Sequence, residues 1–159
     1  MRHAILAALL MSGVAGAALA ENGHDAASVL TDSLAVAFDQ NRDGYLSRDE
    51  LLAGGQAVFN SMDADGSGDL LTSEVVEWEH GFGDIAAFRG REAAYHGVVA
   101  FLYGLIDTDR DGAVSMSEHA ALIERSIEMA DVNGDGALSS TEYDEGFFVN
   151  AIIKRSLEG

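Results

Sequence analysis

The fold is decided by a twelve-residue stretch, DTDRDGAVSMSE, which occupies positions 107–118. Carboxylates recur in it at alternate positions, then a glycine follows, and a glutamate ends the stretch: Asp107, Asp109, Asp111, Gly112 and Glu118. Alternate side chains of a tight loop converge on its inner side, and glycine at the sixth position permits the sharp turn. A glutamate at the twelfth position can close the shell with both oxygens. The spacing therefore predicts a site for a hard, oxygen-seeking cation.

Two further positions of this stretch suit the same kind of site. Ala113, at the seventh position, needs only its backbone carbonyl as a ligand, and Ser115, at the ninth, can reach an ion through water. The same pattern recurs at residues 39–50, 63–74 and 131–142. Because four copies in register are far more specific than one acidic surface turn, we predict four metal-binding loops.

The predicted ligands stand at positions 1, 3, 5, 7, 9 and 12 of each loop. In the first loop they are Asp39, Asn41, Asp43, Tyr45, Ser47 and Glu50. In the second they are Asp63, Asp65, Ser67, Asp69 and Glu74. In the third they are Asp107, Asp109, Asp111, Ala113, Ser115 and Glu118. In the fourth they are Asp131, Asn133, Asp135, Ala137, Ser139 and Glu142. The second loop has serine at its fifth position and Leu71 at its ninth, so we expect it to bind most weakly.

The short linkers between loops predict the architecture. Twelve residues separate the first loop from the second, 51–62, and twelve separate the third from the fourth, 119–130, so each linker is one helix shared by two loops. A helix of that length, about 20 Å, keeps its two loops apart. We therefore expect the second loop to pair with the third and the first with the fourth, through short antiparallel bridges. The predicted fold is all-α, as one domain over residues 21–159, with two independent lobes as the alternative.

The eighth position of each loop contributes to those bridges. It is aliphatic every time: Leu46, Leu70, Val114 and Leu138. We expect these side chains to face the core while their backbone groups pair with the partner loop.

The remaining helices are predicted from apolar spacing. We expect a helix over residues 25–38 before the first loop and another over Val75–His80 after the second. A turn at residues 81–83 is expected to lead into one helix that carries apolar residues from Ile85 to Ile106. After Glu142 we expect a final apolar helix that ends near Lys154 and Arg155.

Two groups of glycines interrupt the helical patterns. Gly54 and Gly55 weaken the first shared helix, by about 2 kcal/mol relative to alanine. Gly90, Gly97 and Gly104 fall seven residues apart. That spacing indicates either a groove for a closely packed backbone or three incidental glycines.

Composition restricts the partners. The chain has 159 residues with 27 Asp and Glu against 9 Lys and Arg, for a formal net charge of -18. Such a chain repels nucleic acid and anionic membranes and attracts cations. It has no cysteine, which excludes thiolate metal sites and favours oxygen ligands. Loop carboxylates repel one another without metal, so folding and metal binding should be coupled.

The N-terminus has the form of a secretory signal peptide. A short basic start is followed by an apolar run, 4–17, and then by Ala18-Leu19-Ala20, which has the form of a signal peptidase site. We predict cleavage after Ala20 and a periplasmic or secreted product. An uncleaved membrane anchor is the alternative, but the run is short for a membrane span.

The loops resemble those of the EF-hand superfamily residue by residue over residues 39–142, particularly its secreted bacterial members. The resemblance implies calcium binding, with up to four Ca2+ ions. The short linkers also resemble the lanmodulin family of periplasmic lanthanide-binding proteins. That family has proline at the second loop position and aspartate at the ninth. This chain has Gln40, Ala64, Thr108 and Val132 at the second position, and three serines and a leucine at the ninth. We therefore interpret the loops as calcium loops.

Three functions follow from this interpretation: a periplasmic or secreted calcium buffer or sensor, a lanthanide-sequestering protein, and a calcium-gated module that binds a protein partner. After signal cleavage only Met62, Met116 and Met129 remain, so no Met-rich groove is evident. We expect no enzymatic activity, because the carboxylate clusters are assigned to metal and the histidines show no catalytic or ligand spacing: His24, His80, His96 and His119.

Overall fold

The computed structural model describes residues 26–78 and 82–157. Within these ranges the helices are α1 (Ala26–Phe38), α2 (Arg48–Met62), α3 (Thr72–Glu77), α4 (Phe82–Phe88), α5 (Glu92–Ile106), α6 (Met116–Ala130) and α7 (Phe148–Leu157), with a π-helical turn over Glu142–Gly146. The strands are β1 (Tyr45–Ser47), β2 (Asp69–Leu70), β3 (Val114–Ser115) and β4 (Ala137–Ser139). The all-α prediction is confirmed. The predicted signal peptide, residues 1–20, lies outside the described residues, as do His24 and His80.

The loops pair as the linker lengths predict. Strand β1 runs antiparallel to β4, with Leu46 opposite Leu138, and β2 runs antiparallel to β3, with Leu70 opposite Val114. All four of these eighth-position side chains are buried. The first loop is therefore joined to the fourth, and the second to the third.

Helices α2 and α6 are the two shared helices, and each begins inside a loop. Ser47 is the N-cap of α2 and Ser115 the N-cap of α6, and each serine forms a reciprocal capping box with the glutamate three residues later. Each helix ends directly before the next loop, at Met62 and at Ala130. In each case the serine and the glutamate of the capping box thus end the loop and also begin the helix.

The buried apolar side chains form two clusters. One lies beside the second and third loops and includes Phe59, Leu70, Tyr103, Val114 and Ile153 among its members. The other lies beside the first and fourth loops, where its members are Ala35, Phe38, Leu46, Leu51, Ile123, Ile127, Ala130, Leu138, Tyr143 and Phe147. Helices α2 and α6 pack against each other and contribute to both clusters, so they join the two ends of the molecule.

The close helix packing occurs at the glycines of α2. A Cβ added to Gly54 would lie 2.6 Å from Cδ1 of Phe38, and one added to Gly55 would overlap Cδ1 of Ile123. Added Cβ atoms at Gly97 and Gly104 would meet nothing within 4 Å. No neighbouring element among the described residues packs closely at Gly97 or Gly104, which contradicts the groove interpretation of the seven-residue spacing, whereas Gly54 and Gly55 of α2 do admit a neighbouring element.

The single helix predicted from Ile85 to Ile106 is wrong. It is divided into α4 and α5 by a Schellman motif at Gly90, which has a φ of 65°. The N–H of Arg91 donates to the carbonyl of Ala86 at 2.8 Å, and the N–H of Gly90 donates to the carbonyl of Ala87 at 3.1 Å. Phe88 is 91% exposed as a result, and not on the buried face where the pattern placed it.

The helices that leave the second and fourth loops also differ from prediction. Helix α3 ends at Glu77, and Trp78 is its extended C-cap. After the fourth loop the chain forms a π-helical turn, and α7 then runs to Leu157, beyond the predicted end. A Cβ on Gly146 would lie 3.1 Å from Cα of Ala130, so the chain passes close to the end of α6 there. The side chain of Asn150 donates to the carbonyl of Tyr143, in the irregular turn, at 3.2 Å.

None of the helices in the described ranges has both the length and the hydrophobicity that crossing a bilayer requires.

Candidate metal centres

The glutamate at the twelfth position spans each loop from start to end. Oε1 of Glu50 accepts hydrogen bonds from the N–H groups of Gln40 and Asn41, at 2.9 and 3.1 Å. Oε2 accepts from the N–H of Ser47 at 3.0 Å and from its hydroxyl at 2.7 Å. These hydrogen bonds fix the orientation of both carboxylate oxygens without the help of an ion.

The other three loops hold their glutamate in the same way. In the third loop, Glu118 accepts from the N–H of Thr108 at 2.7 Å and from that of Ser115 at 3.0 Å. In the second, Glu74 accepts from the N–H groups of Ala64 and Leu71, both at 2.9 Å. In the fourth, Glu142 accepts from the N–H and the hydroxyl of Ser139, at 2.9 and 2.8 Å, and the nearby backbone of Val132 and Asn133 also lowers the pKa of Glu142.

The first-position aspartate closes the turn of each loop. One of its oxygens accepts from the N–H of the sixth-position glycine in every case: Asp39 from Gly44, Asp63 from Gly68, Asp107 from Gly112 and Asp131 from Gly136. These glycines have φ values between 85° and 93°, which a side chain disfavours. The glycine predicted at the sixth position is thus explained by the positive φ that the loop requires there.

Sequence reasoning missed the fourth position, which is also left-handed in every loop. Arg42 and Arg110 have φ values of 62° and 63°, and Gly66 and Gly134 have values of 71° and 73°. The two glycines were a usable signal, but arginine at the other two positions concealed it. The hydroxyl of Thr108, at the second position, was missed as well, and it donates to Glu118 at 2.8 Å.

The side chain at the fifth position is an aspartate in the first, third and fourth loops and a serine in the second. Asp43, Asp111 and Asp135 each accept a hydrogen bond from the N–H of the seventh residue of the same loop. In the second loop Ser67 stands there, and its hydroxyl donates to the carbonyl of Asp69 at 2.9 Å. That carbonyl is the predicted seventh-position ligand, so the second loop lacks a carboxylate at the fifth position and has an internal competitor for a ligand.

The carboxylates converge most closely in the second and third loops. Ligand oxygens of Asp63, Asp65 and Glu74 lie within 4.8 Å of one another. The same is true of Asp107, Asp109 and Glu118 in the partner loop. In the first and fourth loops an amide takes the third position, and the Nδ2 of Asn41 donates to Asp43 at 3.0 Å.

One atom of the third loop directly tests whether a cation fits. Oδ1 of Asp107 is buried and accepts no hydrogen bond from the described residues. A buried carboxylate oxygen without a donor is costly, and direct coordination of a cation would satisfy it. The donor set around it consists of hard oxygens, which suit Ca2+.

The electrostatics keep the glutamates ionised. The backbone N–H of Ser115, followed by hydrogen bonds from Thr108, lowers the pKa of Glu118 to about 2. The hydroxyl of Ser47 and the backbone of Ser139 likewise lower the pKa of Glu50 and of Glu142, respectively. These three glutamates are therefore ionised at neutral pH.

The third-position aspartate of the third loop shows the opposite effect. A backbone hydrogen bond from Asp111 lowers the pKa of Asp109, but desolvation and the charges of Asp111, Glu118 and Asp107 outweigh it and raise that pKa. Mutual repulsion among these carboxylates is therefore present in the loop, and a bound cation would relieve it.

Comparison with protein families identifies the loops. Three segments match the EF-hand family model, at residues 36–53, 104–118 and 123–148. The chain belongs to the EF-hand family. These matches and the two acidic clusters indicate calcium binding, and EF-hand proteins are typically not enzymes. The second predicted loop, residues 63–74, lies outside the matched segments. A search of curated proteins found no match to the chain.

Proposed function

We propose that this EF-hand protein binds up to four Ca2+ ions, one per loop, and acts as a calcium buffer or sensor. The observation that carries the proposal is the shared arrangement of the twelfth-position glutamates. In the first three loops that carboxylate accepts from backbone N–H groups at both ends of the loop, including the loop that the family model does not match, and in the fourth it accepts from Ser139. Ca2+ binding loops need such a preset bidentate ligand.

The proposed site of action is the periplasm or the extracellular space. Support for this comes from the signal-peptide pattern of residues 1–20 alone. Calcium modules outside the cell bind with Kd values of about 10⁻⁴–10⁻³ M, and we expect this range here, with the second loop weakest.

Lanthanide binding is the second candidate function, and the third loop favours it. That loop alone has carboxylates at positions 1, 3, 5 and 12, so its formal charge suits a trivalent ion: Asp107, Asp109, Asp111 and Glu118. Serine at the ninth position supports calcium instead. Competitive titration of La3+ against Ca2+, followed by helicity, separates the two: a structural response to lanthanum alone would contradict the calcium proposal.

The ligand roles are tested by Glu118→Gln. Losing one carboxylate oxygen and its charge should weaken calcium binding at one site by about tenfold or more. Glu128→Gln is the matched control, because Glu128 is exposed on α6 outside every loop. Calcium titration by calorimetry on the chain from residue 21 onward measures both. Equal affinities for the two variants would show that Glu118 is not a ligand.

A further inference from the structure

Between the two apolar clusters lies a partly open cavity of about 160 Å³. Helices α2, α5, α6 and α7 all contribute to its walls, and Val58, Val99, Leu122 and Ile153 are representative lining residues. Close packing normally leaves few voids larger than a water molecule in a protein of this size. A space of this volume between the shared helices is therefore large enough to admit a small molecule.

The walls of the cavity are almost entirely aliphatic and aromatic. Asn150, one of the few polar lining residues, already donates to the carbonyl of Tyr143 at 3.2 Å. His119 also lines the cavity, and its Nδ1 is buried without a hydrogen-bond partner in the described parts of the chain. Its ring packs edge-on against Phe59, with the centroids 5.4 Å apart.

Water is a poor occupant of such a space. An ordered water needs two to four polar partners, and an enclosed apolar cavity of similar volume, about 150 Å³, accepts a molecule of the size of benzene. Among the described residues, Nδ1 of His119 is buried without a hydrogen-bond partner, on a residue that lines a largely apolar space. These properties suit an uncharged apolar molecule that carries one hydrogen-bonding group.

We propose that this cavity is a binding site for a small uncharged molecule, of about one aromatic ring or a short alkyl chain, with a single polar group that pairs with Nδ1 of His119. The metal loops lie at the ends of the shared helices, so this site is separate from them. The proposal does not require that calcium be the physiological ion.

The test uses phenol and benzene as probes on the chain from residue 21 onward, with calcium present throughout. Calorimetry should show saturable binding of both, with phenol about tenfold tighter because it can pair with His119. A His119→Leu variant should lose the preference for phenol and keep benzene binding. Absence of saturable binding of either probe would overturn the site, and a preference that survives in His119→Leu would overturn the role of His119.

Filling the cavity gives a matched comparison. Val99 is 2% exposed and lines the cavity, whereas Val36 is 75% exposed on α1 and does not. Val99→Phe should reduce benzene affinity at least about tenfold, and Val36→Phe should leave it unchanged. Unchanged affinity in a folded Val99→Phe variant would contradict the proposal.

A second readout does not depend on how the filled variant folds. In the unmodified protein, benzene should shift the methyl NMR signals of Val99, Leu102 and Leu122 more than those of Val36. Shifts confined to surface methyls would overturn the site. A calcium titration on the same sample separates failure of this site from failure of the metal loops.

Discussion

At the residue scale, the glycines show how context reverses a local preference. Alanine is favoured over glycine in a helix by about 1 kcal/mol, so Gly97→Ala, in open space on α5, should raise the free energy of unfolding by up to that amount. Gly54→Ala should lower it by about 1–3 kcal/mol, because three atoms of the Phe38 ring lie within 3.0 Å of the new Cβ. Urea unfolding of both calcium-loaded variants checks this, and a gain in stability for Gly54→Ala would contradict the packing described.

Much of this scale was predictable from the sequence. Ligand types, spacing and the sixth-position glycine follow from the geometry of a cation shell. The close packing at Gly54 could not be predicted from the sequence, because it depends on the side chain of Phe38 from another helix. The left-handed fourth position was concealed because Arg42 and Arg110 adopt it at a cost that only the closed loop compensates. The ligand roles themselves stay predictions, which Glu118→Gln tests.

Tyr103 gives a prediction of pH dependence. Burial is the first cause that raises the pKa of its hydroxyl above 10, with smaller effects from Tyr95 and Glu74. The unfolded chain therefore loses this proton first as pH rises, and stability falls above about pH 10 by about 1.4 kcal/mol per pH unit for this group. Tyr103→Phe should remove that part of the slope between pH 10 and 11. An identical slope in both proteins, measured by urea unfolding, would contradict the assignment.

At the element scale, two adjacent leucines differ in burial, because one belongs to the bridge between two loops and the other lies on the loop surface. Leu70 is 0% exposed in the β2–β3 bridge, whereas Leu71 is 46% exposed. Leu70→Ala should cost about 2–5 kcal/mol and weaken calcium binding at the second and third loops together. Leu71→Ala should change stability by less than about 0.5 kcal/mol. Calorimetric titration with urea unfolding measures both effects, and equal costs would show that the bridge does not unite these loops.

The elements that linker length dictates were predicted, and those that tertiary contacts dictate were not. Twelve-residue linkers leave no choice but a shared helix, which fixes the loop pairing. The break at Gly90 lies in a sequence whose apolar spacing continues across it, so periodicity could not reveal it. The π-helical turn ends at Gly146, which lies close to Ala130 at the end of α6, and such a contact between elements leaves no trace in the apolar spacing.

At the scale of the whole molecule, charge repulsion and apolar burial have opposite effects on how compact the chain is. A net charge of -18 favours expansion, while two apolar clusters joined by α2 and α6 favour compaction. The negative charge is concentrated at the loops, where the raised pKa of Asp109 reports repulsion among neighbouring carboxylates. Cations bound there would neutralise the charge where it is densest.

The most direct test removes all metal from the chain from residue 21 onward with a chelator and then restores millimolar calcium, while circular dichroism and calorimetry follow helicity and ion uptake. We predict that the stripped protein loses helicity and that calcium restores it with uptake approaching four ions per chain. Unchanged helicity together with no heat of calcium binding would contradict the account.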